Sequence, residues 1–213
     1  MTDHPRGSEP PTGITTASVL RGDAEMLQKA MLAAILDSPD SFLRTEEQVM
    51  ARTLESWIEE IRSSTWAVAQ QNGQVVGIVA GKRPNPAKDV EDQAVTRYIE
   101  SVWIDPDLRR QGLGARLIKY LLGVEYQKSQ RVRHFRLWVF PTNSIAVGLY
   151  ERMGFTRTPE ENEHDGKTEL KYRLDFDSPI HGAVVLAVNE AIRRDDRRQY
   201  GVTYRVLGEP DSP

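Results

Sequence analysis

Residues 102–114 read VWIDPDLRRQGLG, and this stretch decides the fold. Its first three residues are strand formers, and the DPD segment after them continues neither a strand nor a helix. Gly112 and Gly114 then open a run with the apolar spacing of a helix. Glycine is locally unfavourable in a first helical turn, but it leaves the N–H groups accessible. We therefore predict a phosphate-bearing ligand on the backbone of residues 110–115.

Two common phosphate-binding motifs do not fit this stretch. The dinucleotide fingerprint GxGxxG needs a third glycine where Leu117 stands. The mononucleotide phosphate loop ends in Gly-Lys-Ser/Thr, which occurs at residues 166–168, but Glu161 occupies the position of its first glycine. The pattern that remains is Arg109-x-x-Gly112-x-Gly114.

The composition is typical of a soluble globular protein. The 213 residues suit one domain with a sizeable core, and the net charge of −3 gives no case for a nucleic-acid or membrane partner. The sequence has no cysteine, and its four scattered histidines form no metal-binding pair. We therefore expect no metal site and no cysteine acyl-enzyme. Because no apolar run could span a membrane or act as a secretion signal, we expect a cytoplasmic protein.

The apolar periodicity predicts a mixed α/β chain behind a disordered leader at residues 1–13. Strands are expected at residues 14–19, 65–70, 74–80, 97–104, 133–140, 155–158 and 168–176, and helices at residues 23–36, 45–61, 112–128 and 142–153. The second helix should bury Met50, Leu54, Trp57, Ile58 and Ile61. The element order is βααβββαβαββ. The strands before and after the 112–128 helix should be parallel neighbours.

A second motif follows the fifth strand. Asn143, Ala146 and Tyr150 precede Gly154-Phe155 in the pattern Asn-x-x-Ala-x-x-x-Tyr-x-x-x-Gly-Phe. Together with Arg109-x-x-Gly112-x-Gly114, this pattern resembles the GNAT superfamily of acetyl-CoA-dependent N-acetyltransferases over residues 14–176. The resemblance implies an N-acetyltransferase domain with a mixed sheet whose central strands splay around acetyl-CoA.

The resemblance also implies how acetyl-CoA is held. The pantetheine arm is expected on the backbone at the end of the fourth strand, the pyrophosphate on the glycine-containing loop, and a further contact from the second motif. The implied cofactor-binding residues are Val102, Trp103, Ile104, Arg109, Arg110, Gln111, Gly112, Leu113, Gly114, Ala115, Asn143 and Tyr150.

Catalysis needs an acid for the departing thiolate and a base for the amine. The resemblance implies Tyr150 as the acid, although packing in the core would also explain a tyrosine on an amphipathic helix. Glu100 is the candidate base, because a glutamate in a covered central strand costs free energy unless it is paired or faces the cleft. Tyr98 and a chain of water molecules are the alternatives. Asn143 should also cap the last helix.

Acceptor selection is expected from two loops. Phe42 and Arg44 lie in the first, at residues 36–45, and the second, at residues 160–165, is acidic and could favour a cationic amine. Family members that acetylate protein N-termini often carry a glutamate near the position of Trp138. Trp138 could instead line an aromatic acceptor pocket, although core packing is the commoner fate of such residues.

Residues 177–213 lie outside the family pattern and predict an amphipathic helix and a short strand. This extension should pack on the sheet or form a homodimer contact. The resulting hypothesis is direct transfer of an acetyl group from acetyl-CoA to a primary amine of a small molecule or peptide. The alternatives are a non-catalytic protein that binds or senses acyl-CoA and a protein N-acetyltransferase.

Overall fold

The computed structural model describes residues 13–164, residues 166–176 and Glu190. Its strands are β1 (Ile14–Ser18), β2 (Ser64–Gln71), β3 (Gln74–Lys82), β4 (Thr96–Ile104), β5 (His134–Val139), β6 (Thr156–His164) and β7 (Lys167–Asp175). Its α-helices are α1 (Ala24–Asp37), α2 (Glu46–Met50), α3 (Leu54–Ser63), α4 (Leu113–Lys128) and α5 (Ser144–Arg152). The predicted leader, except Gly13, and the predicted C-terminal extension, except Glu190, lie outside the described residues. None of the described helices is long and apolar enough to cross a membrane.

The strands form one seven-stranded mixed sheet in the order β1-β2-β3-β4-β5-β7-β6. Asn72 and Gly73 both have positive φ and turn the chain from β2 into the antiparallel β3. β4 and β5 are parallel, as the sequence predicts, and α4 connects them. The mixed α/β class is thereby confirmed.

The two central strands separate after a short contact. β4 pairs with β5 only from Thr96 to Tyr98, opposite His134 to Arg136, although both strands continue beyond these residues. Among the described residues, the side of β4 that faces β5 has no strand partner past Tyr98. This splay leaves backbone N–H and C=O groups available between the strands.

A β-bulge interrupts β4 just before the splayed segment. Glu100 pairs with Ala80 and Trp103 pairs with Ile78, so Ser101 and Val102 together oppose Val79. Ser101 has a φ of 53°, in the left-handed region. The extra residue reverses which side chains face each side of the sheet, so Glu100 and Ile104 lie on opposite faces.

Each face of the sheet carries its own apolar core. Helix α4 covers one face, where Leu117 and Leu121 pack with Phe135. Helices α1 and α3 cover the other face, where Met31 and Trp57 are fully buried. This double coverage explains the long apolar runs of β2 and β3.

Two predicted elements differ from the structure. The helix expected at residues 45–61 is divided into α2 and α3 because Thr53 caps a new helix, accepting a hydrogen bond from the N–H of Ser56 at 3.3 Å. Met50 and Leu54, predicted to be buried, are consequently 59% and 46% exposed. The acidic segment expected as a loop is mostly strand, since β6 runs on to His164 and pairs with β7.

Candidate active site

A cleft of about 1020 Å³ opens where β4 and β5 separate. Its walls come from the end of β4, residues 109–115, residues 140–143, α5, the β6–β7 turn and residues 38–42. The cleft brings together nine of the predicted cofactor residues, which are Val102, Trp103, Ile104, Arg109, Arg110, Gly112, Gly114, Ala115 and Asn143. The predicted residues Gln111, Leu113, Tyr150 and Glu100 are not among those that line it.

The loop from β4 to α4 has the backbone of an anion-binding concavity. Asp105 begins it, and its carboxylate accepts a hydrogen bond from the N–H of Asp107 at 3.0 Å. Arg110 has a φ of 63° and Gly112 a φ of 81°, so two left-handed residues alternate with ordinary ones before α4 begins. Successive N–H groups in such a loop converge on one point, where the dipole of α4 also favours negative charge.

The second glycine of the motif lets two helices approach closely. A Cβ atom at Gly114 would lie 3.2 Å from Cδ2 of Leu149 on α5 and 3.7 Å from Cγ1 of Ile104. A glycine at position 114 therefore allows α4 and α5 to pack closely, and it also leaves the backbone accessible. Leu113 is buried in the core beneath the loop, and the Gln111 side chain donates to the carbonyl of Asp107 at 3.0 Å.

Arg109 ties the loop from β4 to α4 to helix α1. Its Nε donates to the carbonyl of Ile104 at 2.8 Å, and its guanidinium contacts the carboxylate of Asp37. The indole Nε1 of Trp103 donates to the same carboxylate at 2.9 Å. Burial alone would raise the pKa of Asp37, but hydrogen bonds from Ser38, Trp103 and Arg109 hold it below its ordinary value. Asp37 is therefore a charged anchor at neutral pH, a role that the sequence did not indicate.

Asn143 has the capping role predicted from the sequence. Its Oδ1 accepts a hydrogen bond from the N–H of Ala146 at 3.1 Å, at the start of α5. Its Nδ2 donates to Oγ of Ser41 at 3.1 Å, which connects α5 to the segment after α1. The Asn143 side chain therefore lies in the cleft wall, with its oxygen bonded to the start of α5 and its nitrogen bonded to Ser41.

Tyr150 lies behind the cleft wall. It is 6% exposed, and its ring meets Phe155 edge-on with the centroids 5.9 Å apart. Ala146 and Leu149 of the same helix do line the cleft. Burial raises the pKa of Tyr150 well above its ordinary value, so the phenol is protonated at neutral pH.

The bulge in β4 turns Glu100 away from the position expected for it. Its side chain is 45% exposed, and a carboxylate oxygen lies 2.8 Å from Nζ of Lys82. In an unbroken strand, Glu100 would lie on the same face as Ile104. That expectation is wrong here, because Ser101 inserts an extra residue into β4. Tyr98 is 95% buried, and burial together with the nearby Glu91 carboxylate raises its pKa, which disfavours the phenolate that a base would need.

Several cleft residues were missed by the sequence analysis. Arg152 of α5 lines the cleft as Arg110 does, and neither arginine has an ion-pair partner within the described ranges. Lys167 of the β6–β7 turn also lines it and lies 2.9 Å from Asp40. Arg152 stands two residues after Tyr150 within the second motif, at a position that the pattern leaves unspecified. Lys167 had no comparable signal, because its position depends on the strand pairing.

The acidic segment at residues 160–164 and Trp138, the other acceptor candidates, do not line the cleft. Glu161 pairs with Arg157, and Glu163 accepts a hydrogen bond from Thr168, both on the β6–β7 hairpin. Trp138 is not a lining residue either, and its ring lies 5.4 Å from the buried Nζ of Lys171. Phe42 does line the cleft, as the sequence suggests.

Comparisons with known proteins agree with this architecture. A mycothiol acetyltransferase of Cellulomonas flavigena is 26% identical over 163 residues, which are 74% of this chain and 45% of that protein. The chain thus spans less than half the length of that relative. An acetyltransferase of Streptococcus pneumoniae has the same fold with a TM-score of 0.64 at 18% identity, covering 76% of this chain and 99% of that one. The yncA protein of Salmonella typhimurium, solved with acetyl-CoA, gives a TM-score of 0.60 at 17% identity and covers 78% and 96%.

A family assignment follows from the sequence match together with the fold. The model described as the acetyltransferase (GNAT) family matches residues 31–155, which is more than half of the chain. That range contains both motifs, the splayed strands and the loop of left-handed residues. The chain therefore belongs to the acetyltransferase (GNAT) family.

Proposed function

We propose that this protein transfers the acetyl group of acetyl-CoA to a primary amine of a small molecule or peptide. The observation that carries the proposal is the splay of β4 from β5, which opens directly onto the loop of left-handed residues. An extended, phosphate-bearing ligand needs both features side by side. The open edge of β4 offers backbone hydrogen bonds, and the loop offers an anion site.

The residues present fit acetyl-CoA. The backbone of Val102 to Ile104 would hold the pantetheine arm, and the N–H groups of residues 110–115 would hold the pyrophosphate. Arg110 and Arg152 line the same cleft without ion-pair partners in the described ranges, so they are available for phosphate oxygens. Arg109 is already held by Asp37, and it would order the loop rather than reach a phosphate.

Acetyl-CoA, when bound, supplies an acetyl thioester. The amine nitrogen forms a C–N bond to the acetyl carbon while the C–S bond breaks, and the amine proton goes to a base. A backbone N–H of the splayed β4 segment would stabilise the negative charge on the carbonyl oxygen. Tyr150 does not itself line the cleft, but it follows the lining residue Leu149 on α5, and its hydroxyl would give its proton to the departing sulfur.

Water in the open cleft is the base that the geometry favours. Glu100 is paired with Lys82 and does not line the cleft, and the buried Tyr98 resists ionisation. Direct transfer in a ternary complex needs only that the amine arrive unprotonated. The absence of cysteine from the sequence excludes a cysteine acyl-enzyme.

Replacing Tyr150 with phenylalanine should lower kcat about 100-fold, because general acid catalysis of this kind contributes about 10²–10⁴-fold. The KM for acetyl-CoA should change less than about twofold, since the ring and its packing on Phe155 remain. The measurement is release of free CoA thiol with a panel of primary amines. Tyr120→Phe is the control, because Tyr120 is also buried and its hydroxyl lies 3.3 Å from Oγ of Ser18 on the edge strand β1.

An unchanged kcat in Tyr150→Phe would remove Tyr150 from the mechanism. Acetyl-CoA binding without thiol release for any amine or protein substrate would mark the protein as a binding or sensing module instead.

A further inference from the structure

A smaller chamber of about 430 Å³ adjoins the cleft on the side of helix α1. This side chamber is formed by residues of the 35–46 segment together with Phe140 and Lys167. Phe42, Phe140 and Lys167 line both spaces, so these three residues lie between the side chamber and the cleft. Its volume is within the range of about 300–1,000 Å³ that is usual for small-molecule sites.

The walls of the side chamber are mainly apolar. Ile35, Leu36 and Pro39 form one part, and Phe42 and Leu43 another. Leu36 is 58% exposed and Leu43 is 48% exposed, although both are large apolar residues beside a concave surface. Apolar side chains left exposed around a pocket favour an apolar ligand group.

One cation of the side chamber lacks part of its hydrogen bonding. Nη2 of Arg44 donates to Glu60 at 3.0 Å, whereas Nη1 of Arg44 is buried and has no hydrogen-bond partner within the described part of the chain. A buried guanidinium nitrogen without an acceptor costs free energy. The Arg44 side chain as a whole is 33% exposed and lines the side chamber, so its charge would pair with a ligand carboxylate there.

The charges around Arg44 also leave one positive charge unbalanced. Glu60 contacts Arg44, Arg52 and Lys82, and Lys82 contacts Glu100 as well. Three cations therefore face two carboxylates in this network. Glu46 lines the side chamber too, but it is exposed and makes no ion pair with Arg44. Negative charge on the ligand would complete the network.

We propose, resting on the function above, that the acceptor is an α-amino acid with an apolar side chain. The side chain would enter the side chamber past Phe42, and the carboxylate would meet Arg44. The α-amine would then face the cleft at the splayed strands, where the acetyl group is delivered. The amine loses a proton and gains the acetyl carbon, and the CoA thiol is released. An N-acetyl amino acid is the product.

The first test compares acceptors with the unaltered protein, by thiol release at saturating acetyl-CoA. The panel contains L-leucine, L-leucine amide, glycine and spermidine. L-leucine should have a kcat/KM about 10- to 100-fold above that of the amide, which lacks the carboxylate charge, and above that of glycine, which lacks the side chain. Spermidine should be the poorest acceptor.

The second test uses Arg44→Gln. In this variant Glu60 still forms its salt bridges with Arg52 and Lys82, so the protein should still fold. The KM for L-leucine should rise about 10- to 100-fold, the difference between leucine and its amide should vanish, and the KM for acetyl-CoA should stay unchanged. Arg62→Gln is the matched control, because Arg62 forms only an exposed pair with Glu59 on α3.

Three results would overturn the inference. One is a preference for spermidine or leucine amide over leucine. Another is an Arg44→Gln variant that acts on leucine and its amide as the unaltered protein does. The third is turnover of other amines without turnover of any apolar amino acid, which would leave the proposed acetyltransferase standing. Failure of the folded protein to bind acetyl-CoA would overturn the inference and the proposed function together.

Discussion

Replacing Gly112 with glutamate should weaken acetyl-CoA binding at least about 100-fold. Two effects add. Gly112 has a φ of 81°, which a residue with a Cβ atom adopts at a cost of about 1–3 kcal/mol. The new carboxylate would also stand at the anion site, where it repels phosphate groups. Isothermal titration calorimetry of both proteins with acetyl-CoA measures the change.

The matched control for this variant is Gly73→Glu. Gly73 has a φ of 78° and is exposed, as is Gly112, but it lies in the β2–β3 turn and does not line the cleft. The two variants should lose similar stability, and only Gly112→Glu should lose acetyl-CoA affinity. Equal weakening in both would mean that strain, rather than the anion site, explains the loss.

Glu125→Gln should destabilise the protein by about 3–5 kcal/mol. Arg97 of β4 and Glu125 of α4 form a salt bridge of 2.7 Å, with side chains only 6% and 3% exposed. The substitution leaves the guanidinium buried without a counter-charge. The surroundings cannot relax easily, because a Cβ atom at Gly81 would already lie 3.0 Å from Oε1 of Glu125. Urea denaturation of the two proteins measures the difference.

Glu25→Gln provides the comparison for that loss. Glu25 and Lys29 form a salt bridge of the same 2.7 Å length, but their side chains are 66% and 73% exposed. Water and salt screen an exposed pair, so the urea midpoint of this variant should not change measurably. If the two substitutions had the same effect on stability, burial would not explain the contribution of the Arg97–Glu125 pair.

Local signals in the sequence predicted local structure well. Thr45 and Gln48, a residue pair typical of a capping box, form one at the start of α2, and Asn143 caps α5 as predicted. Asn72-Gly73, a dipeptide typical of tight hairpins, forms the turn between β2 and β3. These features involve a few consecutive residues, so their physical causes lie within a short stretch of chain.

The errors came from features that depend on distant residues or on unusual backbone. Ser101 adopts a positive φ that nothing in its residue type indicates, and the resulting bulge places Glu100 on the unexpected face. Helix α2 ends at Met50 and Thr53 caps the start of α3, a break that the continuous apolar pattern concealed.

The side chamber could not be predicted from the sequence. It depends on contacts between residues far apart in the chain, such as Ser41 with Asn143, which are 102 residues apart, and Asp40 with Lys167. A sequence pattern indicates that residues 36–45 form a loop. It does not indicate which wall of the cleft that loop completes.

An amide-resolved NMR titration of the unaltered protein with acetyl-CoA tests the central claim most directly. The account predicts saturable shifts of the backbone N–H signals of residues 102–104 and 110–115, with no shift at Asn72 and Gly73. Saturable binding whose shifts lie elsewhere would contradict the assignment of the cleft. A folded protein that shows no shifts would contradict the proposed use of acetyl-CoA itself.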